Sequence, residues 1–319
     1  MTNPIITKSD MAKPAVTKPT LIVALGGNAL LKRGEPLEAD IQQHNIAQAA
    51  RIIAELTEQW NVVLVHGNGP QVGLLALQNN AYSAVTPYPL DILGAESQGM
   101  IGYLLEQALR NTLPQREIST LLTQVEVDPR DPAFDQPTKY IGPVYQQEQA
   151  DAIRREKGWT MKADGQYFRR VVPSPQPQRI VESDAISTLI ARNHLVICNG
   201  GGGVPVTRSR DGQLSGIEAV IDKDLSAAML ACQIHADALL ILTDADAVYL
   251  DWGKATQQPL HKVTPGDLAG MSFDAGSMGP KIAAACEFVN HCHAVAGIGS
   301  LTDGTAILAG QKGTLIRFA

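Results

Sequence analysis

Two lysines stand where helices are predicted to begin, a position that disfavours a cation unless an anion lies beside it. Lys223 lies between Asp222 and Asp224 in "IDKDLSAA", and Lys281 ends "GSMGPK", which opens another predicted helix. The amino end of a helix carries partial positive charge, so a bound phosphate would stabilise both the helix and the lysine. Asp222 taken alone is explained equally well as an N-cap. Together, the two lysines indicate a phosphate site.

Three glycine-rich turns supply backbone donors for the same kind of ligand. Each follows an apolar run that predicts a buried strand. They contain Gly26, Gly27 and Asn28, then Gly67, Asn68 and Gly69, then Gly200, Gly201 and Gly202. Glycine lets the backbone approach an anion closely, although a single such turn is explained as well by a tight strand-to-helix connection. Three in one sheet favour anion binding, even though none matches the G-x-x-x-x-G-K-[ST] phosphate loop.

Two further segments carry candidate residues. Lys139 stands in "PTKYIGP", where prolines restrict the backbone on both sides of it. Thr243, Asp244 and Asp246 stand at the end of another predicted strand, in "LILTDADAVY". Such carboxylates bind Mg²⁺ through water or hydrogen-bond a nucleotide, and an Asx turn that closes the strand explains them nearly as well. Lys139 is therefore a third candidate cation, at some distance in sequence from the other two.

Apolar strands and helical patterns alternate along the chain from residue 20. The strands are continuous Val, Ile and Leu runs, as in "TLIVAL" and "NVVLVH", which predicts a parallel sheet buried on both faces. We therefore expect residues 20–319 to form a three-layer α/β/α sandwich with a mainly parallel open sheet. One strand is expected across "STLLTQVEV". The alternation lapses at about residues 126–177, which are rich in proline and aromatics and predict an inserted, protruding lobe.

The composition is that of an enzyme-sized globular protein. The 319 residues are 45% hydrophobic and 18% charged, with a net charge of -6. This charge argues against nucleic acid or an anionic membrane as a partner, and no apolar stretch reaches the roughly 20 residues of a membrane span. Residues 1–19 are polar and interrupted by proline, which predicts a disordered tail and a cytoplasmic protein. The four cysteines lack C-x-x-C spacing, so we expect reduced thiols.

Taken together, the motifs resemble those of carbamate kinase, in the amino acid kinase superfamily. The resemblance runs in order from about residue 20 to the C-terminus. It includes "ALGGNALL", "VHGNGPQVG", "DPAFDQPTKYIGPVY", "GGGGVPV", "EAVIDKDLSAAMLA", "ILTDADAV" and "GSMGPKIAAA". It implies reversible phosphoryl transfer between ATP and carbamate, giving ADP and carbamoyl phosphate, with Mg²⁺ held mainly by the phosphates. It also implies a homodimer. Breakdown of carbamoyl phosphate toward ATP, as in catabolism, is the expected direction, and synthesis that feeds biosynthesis is the alternative.

The resemblance also assigns roles to individual residues. Lys139, Lys223, Asp224 and Lys281 are implied to be catalytic, with Lys139 clamping the phosphate and Asp224 orienting the other two lysines. The implied substrate contacts are Gly26, Gly27, Asn28, Gly67, Asn68 and Gly69. The implied nucleotide contacts are Gly200, Gly201, Gly202, Thr243, Asp244, Asp246, Tyr249 and Gly279. No residue is implied as a direct metal ligand.

One position supports the resemblance to carbamate kinases in particular, and two others depart from it. Many relatives in the wider superfamily carry K-x-G-G at the first turn, but here Ala24 takes the place of that lysine. As in carbamate kinases, Lys139 would then supply the charge. Tyr140 stands where proline is common, and Glu96 where a smaller or apolar residue is common. A carboxylate-like acceptor is already an anion and needs no general base, which suits a site with no obvious base apart from His66.

Other functions share some of these features. A kinase of another small carboxylate, such as acetylglutamate, has the same superfamily pattern, but the insertion motif and Ala24 argue against it. A non-catalytic nucleotide sensor or partner subunit would keep the fold without turnover, and the three retained lysines and Asp224 argue against that. A Rossmann oxidoreductase fits least, because G-x-G-x-x-G with an acidic residue about 20 positions later is absent.

Overall fold

The computed structural model of the chain describes residues 18–32, 34–274 and 277–318, apart from the side chain of Asn28. Most of the predicted tail therefore lies outside the described residues. Its last two residues contact the body of the protein. Nζ of Lys18 donates a hydrogen bond to the carbonyl of Thr57 (2.7 Å), and the N–H of Asn61 donates to the carbonyl of Pro19 (2.8 Å).

Strands and helices alternate as the sequence indicates. In chain order the strands are β1 (Thr20–Leu25), β2 (Asn61–His66), β3 (Ile118–Thr120), β4 (Gln124–Val127), β5 (Lys139–Tyr145), β6 (Met161–Asp164), β7 (Tyr167–Val172), β8 (Pro177–Ile180), β9 (Leu195–Cys198), β10 (Val204–Arg208), β11 (Leu214–Gly216), β12 (Ala238–Thr243), β13 (Val248–Leu250), β14 (Gln258–Leu260), β15 (Lys262–Val263), β16 (Val295–Ser300) and β17 (Thr314–Ile316). The helices are α1 (Ala39–Leu56), α2 (Gly69–Ala81), α3 (Leu90–Thr112), α4 (Gln147–Lys157), α5 (Ser183–Ala191), α6 (Lys223–Gln233), α7 (Pro265–Leu268), α8 (Met278–Cys292) and α9 (Gly304–Leu308). Within the described part of the chain, none of these helices has both the length and the apolarity needed to cross a membrane.

A sheet of eight strands forms the centre of the protein, in the order β15-β17-β16-β12-β1-β2-β9-β3. Its described strand pairs are parallel except for β16–β17. The register aligns Leu25 of β1 with His66 of β2 and Leu242 of β12, so these three strands end together. Ligands of open α/β sheets bind outside this carboxyl edge. The first two glycine turns lie there.

Helices cover both faces of the sheet because side chains alternate along each central strand. On one face, Ile22 and Ala24 of β1 pack in a core with residues of α6 and α8. On the other face, Leu21 and Val23 pack with residues of α1 and α3. All four are fully buried, which explains why the strand reads as a continuous apolar run. The predicted α/β/α sandwich with a mainly parallel sheet is confirmed.

A small unit stands on this body within the predicted insertion. β5, β7 and β6 form a separate antiparallel sheet, and α4 connects β5 to β6. Residues 139–172 are called the lobe below. The lobe packs on α2 through a small core that includes Ile141, Val172 and Val72. The flanking residues of the predicted insertion lead into β4 and β8, which belong to another sheet of order β11-β10-β4-β8.

The stretch predicted as one strand, "STLLTQVEV", forms two. β3 ends at Thr120 in the central sheet, and β4 begins at Gln124 in the other sheet. Between them, the N–H of Thr123 donates to Oε1 of Gln98 (3.0 Å), and Nε2 of Gln98 donates back to the carbonyl of Thr123 (3.1 Å). The one-strand prediction is wrong because a distant side chain satisfies the backbone at this break, which an apolar pattern does not reveal.

The cysteines also differ from the expectation. Cys232 of α6 and Cys292 of α8 form a disulfide across 60 residues of sequence. The prediction of reduced thiols is therefore wrong for this pair, whereas Cys198 and Cys286 are free. Residues so far apart give no spacing signal, and it is the packing of α6 on α8 that brings them together.

Candidate active site

The site is built on the ends of β1 and β2, where two glycine turns touch. The N–H of Gly67 donates to the carbonyl of Leu25 across the strand ends (3.1 Å). A Cβ atom placed on Gly67 would lie 3.4 Å from the backbone nitrogen of Gly27. α2 begins directly after the second turn with Asn68 at its N-cap, so its unpaired N–H groups face the same region. These two turns, residues 26–28 and 67–69, are called the cradle below.

α6 brings two charged side chains to the cradle. Oδ1 of Asp222 accepts hydrogen bonds from the N–H groups of Asp224 (2.9 Å) and Leu225 (3.3 Å), which fixes the start of the helix. Lys223 is therefore the first residue of α6, as predicted. Its side chain packs on the second turn, since a Cβ atom on Gly67 would lie 3.6 Å from Cδ of Lys223.

Asp224 connects the two lysines that stand at helix starts. Its Oδ1 accepts a hydrogen bond from Nζ of Lys223, and its Oδ2 accepts one from Nζ of Lys281 at 3.0 Å. None of the three side chains is more than 15% exposed. Lys281 lies in the first turn of α8, so this network ties α6 to α8. The three residues are called the charged floor below.

Burial and charge act in opposite directions within the charged floor. Burial lowers the pKa of Lys223, and the Asp224 carboxylate offsets this only in part. Burial also acts downward on Lys281, but the charge and hydrogen bond of Asp224 prevail and raise its pKa. Burial acts upward on Asp224, yet the two lysines hold its pKa below the ordinary value. Asp224 and Lys281 are therefore charged at neutral pH, and Lys223 loses its proton more readily than Lys281.

Lys139 reaches the same place from the lobe. It is the first residue of β5, and its Nζ donates to Oδ2 of Asp222 at 2.5 Å. Asp222 thus uses one carboxylate oxygen to begin α6 and the other to bind the lobe. Burial acts upward on the pKa of Asp222, but the charge and hydrogen bond of Lys139 hold it well below the ordinary value. Asp222 is therefore ionised at neutral pH.

These groups line one pocket of about 190 Å³. It brings together the predicted site residues Gly27, Gly67, Asn68, Gly69, Lys139, Gly201, Lys223, Asp224 and Lys281. Its lining also includes Tyr140, Asp222, Ser277 and Pro280, but not Gly26. The side chain of the predicted contact Asn28 is outside the described part of the chain. Three lysines against two aspartates give this pocket a net charge of +1, which suits an anionic ligand.

The third glycine turn packs against the cradle. A Cβ atom on Gly201 would lie 2.1 Å from the side-chain nitrogen of Asn68, and one on Gly200 would lie 2.5 Å from the ring of His66. Gly201 and Gly202 also have positive φ, 65° and 92°, which favours glycine. Gly201 lines the pocket on the Asn68 side, whereas Gly200 and Gly202 do not. Nucleotide contact by this turn stays a prediction.

The other predicted nucleotide contacts lie outside this pocket. Thr243 and Asp244 line another cavity of about 290 Å³ near the ends of β12 and β16. Asp246 lies in the turn after β12 and accepts a hydrogen bond from the hydroxyl of Tyr249 in β13 (2.9 Å). Gly279 lies one residue before the pocket-lining Pro280 and borders a separate cavity beside α8. The role of these residues stays a prediction.

Several polar residues that hold the turns were missed from the sequence. Nδ2 of Asn68 donates to Oγ of Ser97 on α3 (2.8 Å). Nδ2 of Asn199 donates to Oγ of Ser226 on α6 (2.9 Å), and the N–H of Asn199 donates to Oγ1 of Thr123 (2.6 Å). These bonds fix the glycine turns to α3 and α6. An asparagine directly before a glycine run was the available signal for Asn199.

His66 is a neutral, buried group at the edge of the cradle. Its Nδ1 donates to the carbonyl of Gly67 at 3.0 Å. Burial lowers the pKa of His66 to about 4, against the raising effect of this hydrogen bond, and the charge of Lys223 lowers it further. His66 is therefore uncharged at neutral pH.

Known proteins resemble this chain over most of its length. The sequence pattern of the amino acid kinase family matches residues 19–296. The carbamate kinase of Escherichia coli O6:H1 is 56% identical over 297 residues, covering 93% of this chain and 99% of that protein. The carbamate kinase of Rhizobium meliloti is 52% identical, covering 93% and 92%. The solved structure of Giardia lamblia carbamate kinase bound to AMP-PNP superposes with a TM-score of 0.85 at 40% identity, covering 95% of this chain and 99% of that one.

The chain belongs to the amino acid kinase family, a class of phosphotransferases whose fold it shares. Within that family, its relatives place it among the carbamate kinases. The resemblance predicted from the motifs is therefore confirmed. The N-acetylglutamate synthase of Neisseria gonorrhoeae superposes with a TM-score of 0.58 at 14% identity, which shows a shared fold alone.

Proposed function

We propose that the protein transfers a phosphoryl group reversibly between carbamoyl phosphate and ADP, giving carbamate and ATP. The observation that carries this proposal is the convergence of Lys139, Lys223 and Lys281, from three separate elements, on one pocket beside the cradle. The identity of the acceptor is supported by the carbamate kinases that the chain resembles. An acyl phosphate transfers its phosphoryl group more readily than ATP does, so we expect net flux toward ATP, as in catabolism.

The reaction brings two anions together and requires no proton transfer. A β-phosphate oxygen of ADP attacks the phosphorus of carbamoyl phosphate, and a new P–O bond forms. The bond to the carbamate oxygen breaks, and that oxygen leaves with the electron pair as part of the carbamate anion. Repulsion between the reactants and charge on the transferring group are the main obstacles, and fixed cations and aligned N–H groups reduce both.

We assign the carbamoyl phosphate side of the site to the cradle and the lobe. The N–H group at Gly27 and those at the start of α2 are suited to the phosphoryl oxygens. Lys139 would contact the same oxygens from the lobe side. Its partner Asp222 keeps this lysine at the pocket before the substrate binds.

We assign the nucleotide side to the charged floor. Lys223 lies against the cradle and would contact the transferring phosphoryl group, while Lys281 at the start of α8 would bind the phosphates of the nucleotide. Asp224 keeps both lysines oriented and compensates their charge while the pocket is empty of anions. The segment from Thr243 to Tyr249 would border the rest of the nucleotide.

We propose Mg²⁺ as the metal that accompanies the nucleotide. In residues 18–32, 34–274 and 277–318, no cluster of three or more His, Cys, Asp or Glu side chains could hold a metal ion. Both carboxylates of the pocket are bound by lysines. This donor set fits an ion held by phosphate oxygens and water. Such an ion would neutralise phosphate charge, while the lysines align the reacting groups.

ATP formation from ADP and carbamoyl phosphate with Mg²⁺, followed by luciferase, tests the proposal. We expect rapid ATP formation, reduced at least about 100-fold by Lys223→Ala, because one charged transition-state contact contributes about 3 kcal/mol. A variant rate within threefold of wild type would contradict the role of Lys223. Folded protein that binds ADP but makes no ATP would point to another acyl phosphate or to a nucleotide sensor, and a panel of carboxylate acceptors would follow.

We also propose a homodimer, on the strength of the family resemblance. Light scattering after gel filtration should then give twice the chain mass of 34.1 kDa. A cytoplasmic location is proposed because ATP is formed and used there. The Cys232–Cys292 disulfide is an opposing observation, since cytoplasmic thiols are kept reduced. Cell fractionation with alkylation of thiols at lysis reports both the location and the state of this pair.

A further inference from the structure

The lobe rests on α2 through two glycines that meet backbone to backbone. A Cβ atom placed on Gly73 of α2 would lie 1.9 Å from Cα and 2.2 Å from the nitrogen of Gly142 in β5. No side chain can be added at Gly73 without moving the strand. Ile141 and Val72 pack beside this contact in the small core that joins the lobe to the body.

The contact sets the register of β5 along α2. A Cβ atom on Gly69, the first residue of α2, would lie 3.9 Å from the carbonyl oxygen of Tyr140. The four residues from Gly69 to Gly73 rise about 6 Å in a helix, and the two residues from Tyr140 to Gly142 span about 6.6 Å in a strand. β5 therefore runs alongside α2 from the helix start. Lys139, which precedes Tyr140, falls at that start, beside the cradle.

The lobe fixes its own side of the contact. The pairing of β5 with β7 is interrupted between Ile141 and Tyr145, and Gly142 lies in this interruption with a φ of 71°. Nε of Arg169 on β7 donates to the carbonyl of Gly142 (3.0 Å). A residue with a side chain would be strained at this φ. Contacts within the lobe therefore hold Gly142 in position. A side chain added at Gly73 would move the whole of β5 and not Gly142 alone.

We propose that Gly73 and Gly142 are positioning residues that set the height of Lys139 above the cradle. This inference rests on the role proposed for Lys139. An alanine at position 73 must increase a 1.9 Å approach to more than 3.0 Å, since closer Cβ contacts essentially do not occur. That displacement lifts β5, and with it Lys139. Lys223 and Lys281 belong to α6 and α8, so the charged floor stays in place.

The test is Gly73→Ala, assayed for carbamoyl phosphate and ADP separately. We expect kcat/KM for carbamoyl phosphate to fall at least about tenfold, since a misplacement of about 1 Å can cost as much as 100-fold. The Kd for ADP should stay within twofold, which also shows that the protein is folded. Gly99→Ala is the matched control, because Gly99 lies inside α3 with nothing within 4 Å of an added Cβ atom. It should change neither quantity.

A double variant separates positioning from general damage. In a Lys139→Ala background, Gly73→Ala should cost less than threefold, because the lysine that it displaces is already gone. Equal losses in both backgrounds would overturn the proposal, as would a folded Gly73→Ala protein with kcat/KM within twofold of wild type. If Gly73→Ala does not fold, Gly142→Ala replaces it. Its Cβ atom would lie 3.4 Å from Cα of Gly73, and the strain at a φ of 71° adds to the displacement of β5, so kcat/KM for carbamoyl phosphate should again fall while the Kd for ADP stays within twofold.

A readout without turnover separates this inference from the proposed function. Lys139 is 30% exposed and paired with Asp222, so an amine-reactive reagent should label it slowly relative to the exposed Lys162 of the same lobe. Gly73→Ala should raise the ratio of Lys139 labelling to Lys162 labelling several-fold, as measured by peptide mass spectrometry. If wild type makes no ATP and the ratio still rises, the function fails but the positioning stands. An unchanged ratio overturns the positioning whatever the activity.

Discussion

The charged floor and the lobe hold their lysines in different ways. Lys223 and Lys281 are 10% and 15% exposed and share Asp224 between them. Lys139 is 30% exposed and pairs with Asp222. The floor stands on two helices that pack on the central sheet, whereas the lobe is a separate sheet that meets the body along α2.

From this difference we expect the charged floor and the lobe to have separate roles within one site. The charges of the floor are compensated inside the protein, so we expect its residues to contribute to folding as well as to the proposed catalysis. The lysine of the lobe is carried to the pocket by a separate three-stranded sheet that packs on α2, so we expect its displacement to leave the central sheet in place. Changes in the floor should therefore affect both stability and turnover, and changes in the lobe should affect mainly the use of carbamoyl phosphate.

The largest effect is expected from Asp224→Asn, which keeps the side-chain volume but removes the charge between two lysines. We expect kcat to fall about 1000-fold, because two charge-assisted hydrogen bonds of about 2 kcal/mol each are weakened. Urea unfolding should also show a loss of about 3 kcal/mol, since buried lysines are left without a counter-charge. Steady-state ATP formation and unfolding curves measure the two quantities.

The control for that variant is Asp211→Asn, at an exposed position in the turn between β10 and β11. It removes the same charge from the chain and should leave both kcat and stability unchanged. If Asp224→Asn lowered turnover with no loss of stability, the floor would not be a folding element and the contrast with the lobe would fail.

A smaller and more selective pair of effects should distinguish Lys281→Ala from Lys139→Ala. Lys281→Ala is expected to lower kcat about 100-fold and to weaken ADP binding, because a phosphate contact is lost. Lys139→Ala should lower kcat/KM for carbamoyl phosphate about 100-fold, mainly through KM, and leave the Kd for ADP unchanged. Calorimetric titration of ADP and initial rates at varied carbamoyl phosphate provide both numbers. Equal weakening of ADP binding by the two variants would remove the division into floor and lobe.

The helix starts that carry Lys223 and Lys281 could be predicted from the sequence because their signals are local, whereas the bond of Lys281 to Asp224, 57 positions away, was implied only by the resemblance. Asp222 before Lys223 has the form of an N-cap, and the short apolar helix after it follows from periodicity. The glycine turns after β1 and β2 follow from continuous apolar strands, since parallel strands end at the same edge of a sheet. Lys281 fits the same reasoning, because proline and glycine before it mark the start of α8.

The attachment of the lobe could not be predicted, because it depends on contacts between distant segments. The bond from Lys139 to Asp222 joins residues 83 positions apart, and no motif records that pairing. Gly73 reads as an ordinary glycine in a helix until β5 is seen against it. Asp222 itself was explained fully by its capping role. Its other carboxylate oxygen accepts the hydrogen bond of Lys139, and only the fold of the lobe brings that lysine to it.

The smallest effect on turnover is expected at His66, whose ionisation depends on its burial beside the floor. Its pKa of about 4, lowered from 6.5 by burial, means that the folded protein keeps this ring neutral while the unfolded chain protonates it. The stability that follows is present above pH 6.5 and is lost as the pH falls toward 4, by about 1.4 kcal/mol per pH unit. Between pH 7 and pH 5, the free energy of unfolding of wild type should therefore fall by about 2 kcal/mol more than that of His66→Gln. The contributions of the other titrating groups are common to both proteins and cancel in this difference. The ratio of the two kcat values should stay constant from pH 6 to pH 8, and a bend near pH 6.5 would mean that His66 titrates in the working enzyme and acts in the reaction.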